Sequence, residues 1–63
     1  MLEFAEAVLR DIRDLKKSSE EIILGGGVSD MERYRFLMGR LEGLKLVEES
    51  VKKTLKDWTQ ENL

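Results

Sequence analysis

Apolar side chains recur along this chain at steps of three and four residues, the period that gathers them on one side of an α-helix. The pattern occurs twice. In the first stretch Phe4, Val8, Ile12, Leu15 and Ile22 form a stripe, with Ser19 filling one position and Leu2, Ala5 and Leu9 widening it. Glu3, Glu6, Arg10, Asp14, Lys17 and Glu21 take the opposite side. In the second stretch Tyr34, Leu37, Leu41, Leu44, Val47, Val51, Leu55 and Trp58 follow the same steps. Between them stand Gly25, Gly26 and Gly27, each costing a helix about 1 kcal/mol relative to alanine. The pattern predicts an all-α chain: a helix over about 2–23, a glycine turn over 25–28 and a long helix over about 30–60. At 1.5 Å per residue the helices measure about 33 Å and about 46 Å.

Local signals refine the boundaries. Ser29-Asp30-Met31-Glu32 has the S-x-x-E spacing of a capping box, in which a hydroxyl and a carboxylate each accept a free backbone N–H. Ser18-Ser19-Glu20-Glu21 offers a second start signal inside the first helix, but the stripe keeps its phase across the serines, which favours one continuous helix. Glu6–Arg10, Lys45–Glu49, Glu48–Lys52 and Glu49–Lys53 have the i,i+4 spacing of intrahelical ion pairs, worth a few tenths of a kcal/mol each.

Two helices joined by a short link pack as an antiparallel αα-hairpin. Counting back from a tight turn places Ile23 near Met31 and Leu2 near Lys52. Leu55 and Trp58 then outrun the first helix, and a second chain is expected to cover them. The unit is a single domain, 1–63, expected to assemble into a multi-helix bundle, most simply a four-helix bundle made by a homodimer.

Composition narrows the chemistry. The 63 residues contain no Cys, His or Pro, and 38% are charged. A chain this short buries only about 60% of the surface its unfolded form exposes and normally relies on disulfides, a metal or association. Disulfides and thiolate or imidazole metal sites are excluded here, which leaves association. Eleven basic against thirteen acidic residues, interspersed, give a net charge of −2. No dense basic face points to nucleic acid, and no apolar run approaches the roughly 18 residues of a membrane span. Acids near the N-terminus argue against a signal peptide, so a cytoplasmic setting is expected. Without His or Cys the usual bases and nucleophiles are missing. No catalytic residue, cofactor or metal site is assigned.

Several constellations have more than one reading. Gly39 and Gly43 form G-x-x-x-G on a face shared with Phe36, Val47 and Ser50. Either the first helix packs on that flat spot, or a second chain crosses closely there. Arg33, Arg35 and Arg40 interleave with Tyr34 and Phe36, a mixture favoured at protein interfaces and equally compatible with a solvated face. Trp58 is either a plug within an oligomer or an anchor in another protein. The triple glycine before a helix lacks the G-K-[ST] ending of a phosphate loop and reads as a turn. The interface candidates are Tyr34, Phe36, Gly39, Arg40, Gly43, Val47, Val51, Leu55 and Trp58.

Residues 23–44 carry Gly25 to Gly27, Asp30, Tyr34, Leu37, Gly39, Gly43 and Leu44. This spacing resembles small helical-hairpin accessory proteins of tailed bacteriophages. The resemblance covers about a third of the chain, implies a host-cell cytoplasmic setting and transfers no catalytic residue. Three functional readings follow. The first is a self-associating structural or interaction protein. The second is an inhibitor that binds a host defence or transcription factor through Arg33, Tyr34 and Arg40, with Trp58 as a further candidate. The third is an oligomeric sponge for a small ligand such as a nucleotide.

Overall fold

A computed structural model describes residues 2–26 and 28–61. Two helices pack against each other, α1 over Leu2–Leu24 and α2 over Met31–Glu61. No strand occurs among the described residues. The Cα envelope is 50 × 16 × 12 Å, a flat rod as long as α2. α1 runs unbroken through Ser18 and Ser19, and Ser19 is 2% exposed. The serine sits in the helix seam, where its small side chain lets the two backbones stay close.

The link between the helices is longer than a tight turn. Gly25 still donates its N–H to the Glu21 carbonyl at 2.8 Å. Gly26 then adopts φ +78°, a left-handed conformation that glycine enters without a Cβ penalty and that commonly ends helices. α2 is capped by Asp30, whose Oδ1 accepts the Arg33 N–H at 2.7 Å. The cap is thus one residue later than the Ser29–Glu32 box suggested, because the Asp30 carboxylate itself accepts the amide three residues on.

The expected register is overturned. Lys16 Nζ donates to Glu48 Oε1 at 2.9 Å, and Arg13 Nε lies 3.8 Å from Glu48 Oε2. Matching the buried and half-buried positions of α1, Ala5 to Ile23, against those of α2, Leu55 to Leu37, places Phe4 about level with Lys56, the Lys16 side chain reaching one turn along α2 to Glu48. Leu55 and Trp58 therefore do have neighbours within the chain: Phe4, Ala5 and Val8 line a cleft with them. The excess length of α2 falls mainly at the link end, ahead of the buried Leu37, where Met31 and Tyr34 are exposed. The six residues between the helices supply the slack that this offset needs.

The seam also differs from the most apolar stripes. On α1 it runs through Ala5, Leu9, Ile12, Lys16, Ser19 and Ile23, all buried or half-buried. On α2 it runs through Leu37, Leu41, Leu44, Glu48, Val51 and Leu55. Val47, expected inside, is 51% exposed, whereas Glu48, expected outside, is 8% exposed. From Leu44 a step of four is as compatible with the helical period as a step of three, and the Lys16 ammonium across the seam makes the carboxylate the favoured occupant. The ion pairs among the described residues are those two contacts to Glu48; the expected i,i+4 pairs along the helices are not formed. Among the described residues the buried apolar side chains are Leu9, Ile12, Leu37 and Leu41. Each contributes roughly 1.5–3 kcal/mol, a thin core for a chain of this length.

The hydrogen bond from Lys16 holds the Glu48 carboxyl below its ordinary value of 4.5, and the charges of Lys16, Lys52 and Arg13 act in the same direction against partial burial. A carboxyl lowered in the folded state stabilises it above the unfolded value, and that stabilisation is lost as pH falls through the folded value. The melting temperature, followed by circular dichroism, should therefore drop on acidification below pH 4.5. The gap between the native chain and Lys16→Met should be widest at neutral pH and should shrink on that same descent. Separately, Asp30→Ala should lower stability in urea denaturation by about 0.5–2 kcal/mol through loss of the cap.

Candidate interaction face

The strongest apolar stripe of α1 lies beside the seam rather than in it. Phe4 is 70% exposed, and Leu15 and Ile22 are also exposed; Val8 is half-buried. These residues, with Asp11 and Ser18 between them, follow one another at helical steps and so share one side of α1. On α2 the same holds for Phe36, Arg40, Gly43, Val47, Ser50, Thr54 and Trp58. The cleft at the open end fixes how the two stripes are related: Phe4 and Val8 meet Ser50, Thr54 and Trp58 along its walls. Both stripes therefore belong to one broad side of the hairpin. That side carries few charges, with Asp11, Arg33 and Arg40 its principal ones. Lys45, Glu49, Lys52, Lys53 and Lys56 lie round the other side of α2.

Two features shape this face. The cleft, lined also by Ala5, Val51 and Leu55, has a volume of about 290 Å³ and opens between the helices near their outer ends. Towards the middle of α2 a shallow stretch is left by Gly39 and Gly43. A Cβ built on either glycine meets nothing within 4 Å. The reading in which α1 packs closely on these glycines is therefore not realised; the flat stretch faces outward. At the link end Phe36 is 58% exposed, and the Arg33 guanidinium sits 5.6 Å from its ring centroid, a cation–π contact that orients the ring.

The structure divides the nine interface candidates. Phe36, Arg40, Gly43, Val47 and Trp58 share the charge-poor face. Val51 and Leu55 are half-buried between the helices and form the floor of the cleft. Tyr34 lies round the other side and borders a more polar cleft of about 470 Å³ with Arg35, Met38, Leu41, Glu42 and Lys45; Gly39 stands at its edge. Sequence reasoning missed the α1 half of the face, because Phe4, Leu15 and Ile22 were assigned to the core. The signal that could have found it was the width of the α1 stripe. Leu2, Ala5 and Leu9 beside Phe4 and Val8 are more apolar surface than one partner helix covers.

No group of three or more metal-ligating side chains is found among the described residues. Among the described residues no helix is long and apolar enough to cross a membrane. Compared with known proteins, the chain matches no family model, no curated protein and no solved structure.

The open space at Gly39 has a direct consequence. Gly39→Ala should stabilise α2 by roughly 0.5–1 kcal/mol, since it removes backbone freedom from the unfolded chain without meeting a neighbour. Thermal melts at low protein concentration provide the measurement.

Proposed function

We propose that this chain is a non-enzymatic interaction protein, a helical hairpin that pairs with a second copy of itself to form a four-helix bundle. One observation carries the reading. The hairpin hides a seam interrupted by Lys16, Ser19 and Glu48, and leaves exposed the more apolar, charge-poor face. The buried core is thin, and neither a disulfide nor a histidine or thiolate metal site is available to support it. Pairing through that face would supply the missing burial. The phage-accessory setting suggested by residues 23–44 adds a possible source and leaves the chemistry unchanged.

A second reading has its own observation. Towards the link end of α2 Met31, Tyr34, Phe36 and Met38 are exposed among Arg33, Arg35 and Arg40. Arginine, methionine and aromatic residues are favoured at interfaces, so this end would suit an acidic surface of a different protein, as a host-protein inhibitor requires.

Light scattering coupled to size exclusion, at micromolar concentration, separates the two. Self-pairing predicts twice the 7.3 kDa chain mass, and Val47→Glu, which places a charge at the middle of the face, should return the chain to monomer. A well-folded native monomer would overturn self-pairing and favour the second reading.

A further inference from the structure

We propose that α1 has two seats on α2, related by a turn of one residue about its own axis, and that Glu48 selects the one observed. The inference concerns the hairpin itself and stands whatever covers the outer face.

α1 carries two stripes with the same spacing. One is the seam, Ala5, Leu9, Ile12, Lys16, Ser19 and Ile23. The other stands one residue earlier throughout: Phe4, Val8, Asp11, Leu15, Ser18 and Ile22. Both repeat at alternating steps of four and three, so either can run along a partner helix. Successive residues lie about 100° apart round a helix, and a turn of that size with a slide of about 1.5 Å exchanges the stripes. α2 offers no such choice. Its seam holds Leu37, Leu41, Leu44, Val51 and Leu55 beside Glu48, whereas the stripe one residue earlier includes Arg40, Gly43, Ser50 and Thr54.

Apolar area alone would seat α1 the other way. The outer stripe carries Phe4, Val8, Leu15 and Ile22, against Leu9, Ile12, Ile23 and the small Ala5 in the seam. Yet Phe4 is 70% exposed and Ile12 only 6%. The deciding position is Glu48, which matching of the buried positions sets opposite Ile12. In the observed seat Lys16 Nζ meets Glu48 Oε1 at 2.9 Å and Arg13 Nε lies 3.8 Å from Oε2. With α1 turned, Asp11 would take the place of Ile12 and set a second carboxylate against Glu48, while Lys16 and Arg13 swing towards solvent. A buried carboxylate that loses its cation and gains a like charge is strongly disfavoured. One charge thus overrides the larger apolar stripe. In the turned seat Phe4, Val8, Leu15 and Ile22 would enter the seam, and the charge-poor face would lose its α1 half. Glu48 therefore also keeps that face presented.

The sequence has no cysteine, so a single introduced thiol reports the seat. Ser18 is exposed, Ser19 is 2% exposed, and Ser18→Cys and Ser19→Cys change each side chain little. Alkylation rates in dilute solution, each divided by the rate in urea, should be at least tenfold higher for Ser18→Cys than for Ser19→Cys. Glu48→Lys should reverse that order, because the introduced ammonium repels Lys16 and Arg13 and attracts Asp11. Adding Lys16→Glu should restore it. Unfolding would make both thiols fast, and pairing through the outer face would make both slow, so neither imitates a reversal. If Glu48→Lys loses its helical circular dichroism, Asp11→Leu decides: Ser19→Cys should then react at least threefold faster while Ser18→Cys slows, and any other change overturns the two seats. A helical Glu48→Lys chain that does not reverse the native order, or one that stays reversed after Lys16→Glu, overturns them as well. The mass of the native chain tests self-pairing independently.

Discussion

The contact between Lys16 and Glu48 sets the relation between the two helices, and nearly everything else follows from it. A helix hairpin with apolar residues on several sides of each helix has more than one way to slide. Burying a carboxylate without a partner is costly, whereas burying it against an ammonium with a 2.9 Å hydrogen bond is tolerable in one register only. Arg13 reaches the same carboxylate from one turn away. The pair thus acts less as a source of net stability than as a constraint on sliding, the role best attested for polar groups inside helix seams. Once it is in place, Leu55 and Trp58 lie against the start of α1, and α2 projects at the link end.

A second consequence concerns which surfaces remain available. Seam positions on α1 include Ala5 and Ser19, small residues that favour close approach over apolar area. The larger side chains Phe4, Leu15 and Ile22 are turned aside onto the outer face. The molecule separates two tasks that a simple hairpin would combine. One side chain set holds the helices in register, and another presents an apolar surface interrupted by a cleft and by the flat stretch at Gly43. That separation makes the outer face readable as an interface, since Phe4 at 70% and Phe36 at 58% exposure leave most of their rings uncovered by the hairpin itself.

Helix number, helix limits within a residue, and the continuity through Ser18 and Ser19 were legible from periodicity and punctuation alone. The register was not. Periodicity shows which residues share a side of one helix but does not say which level of the partner helix they meet, and the count from a tight turn ignored the slack in residues 25–30. The choice between Val47 and Glu48 was equally hidden, because it depends on Lys16, thirty-two positions away. For the candidate face, Phe36, Arg40, Gly43 and Val47 were visible as an α2 surface. Their α1 complement was concealed by the natural assumption that the most apolar stripe is the buried one.

The link between the helices carries a kinetic meaning. Most contacts of the hairpin lie within its two helices, and chains dominated by such local contacts fold in microseconds to milliseconds. With no proline anywhere in the sequence, no slow peptide-bond isomerisation interposes. The hairpin should therefore close on itself long before it meets anything else at cellular dilution. Whatever comes to cover the outer face would arrive in a bimolecular step, so the speed of maturation would follow the amount of protein present rather than the chain's own folding.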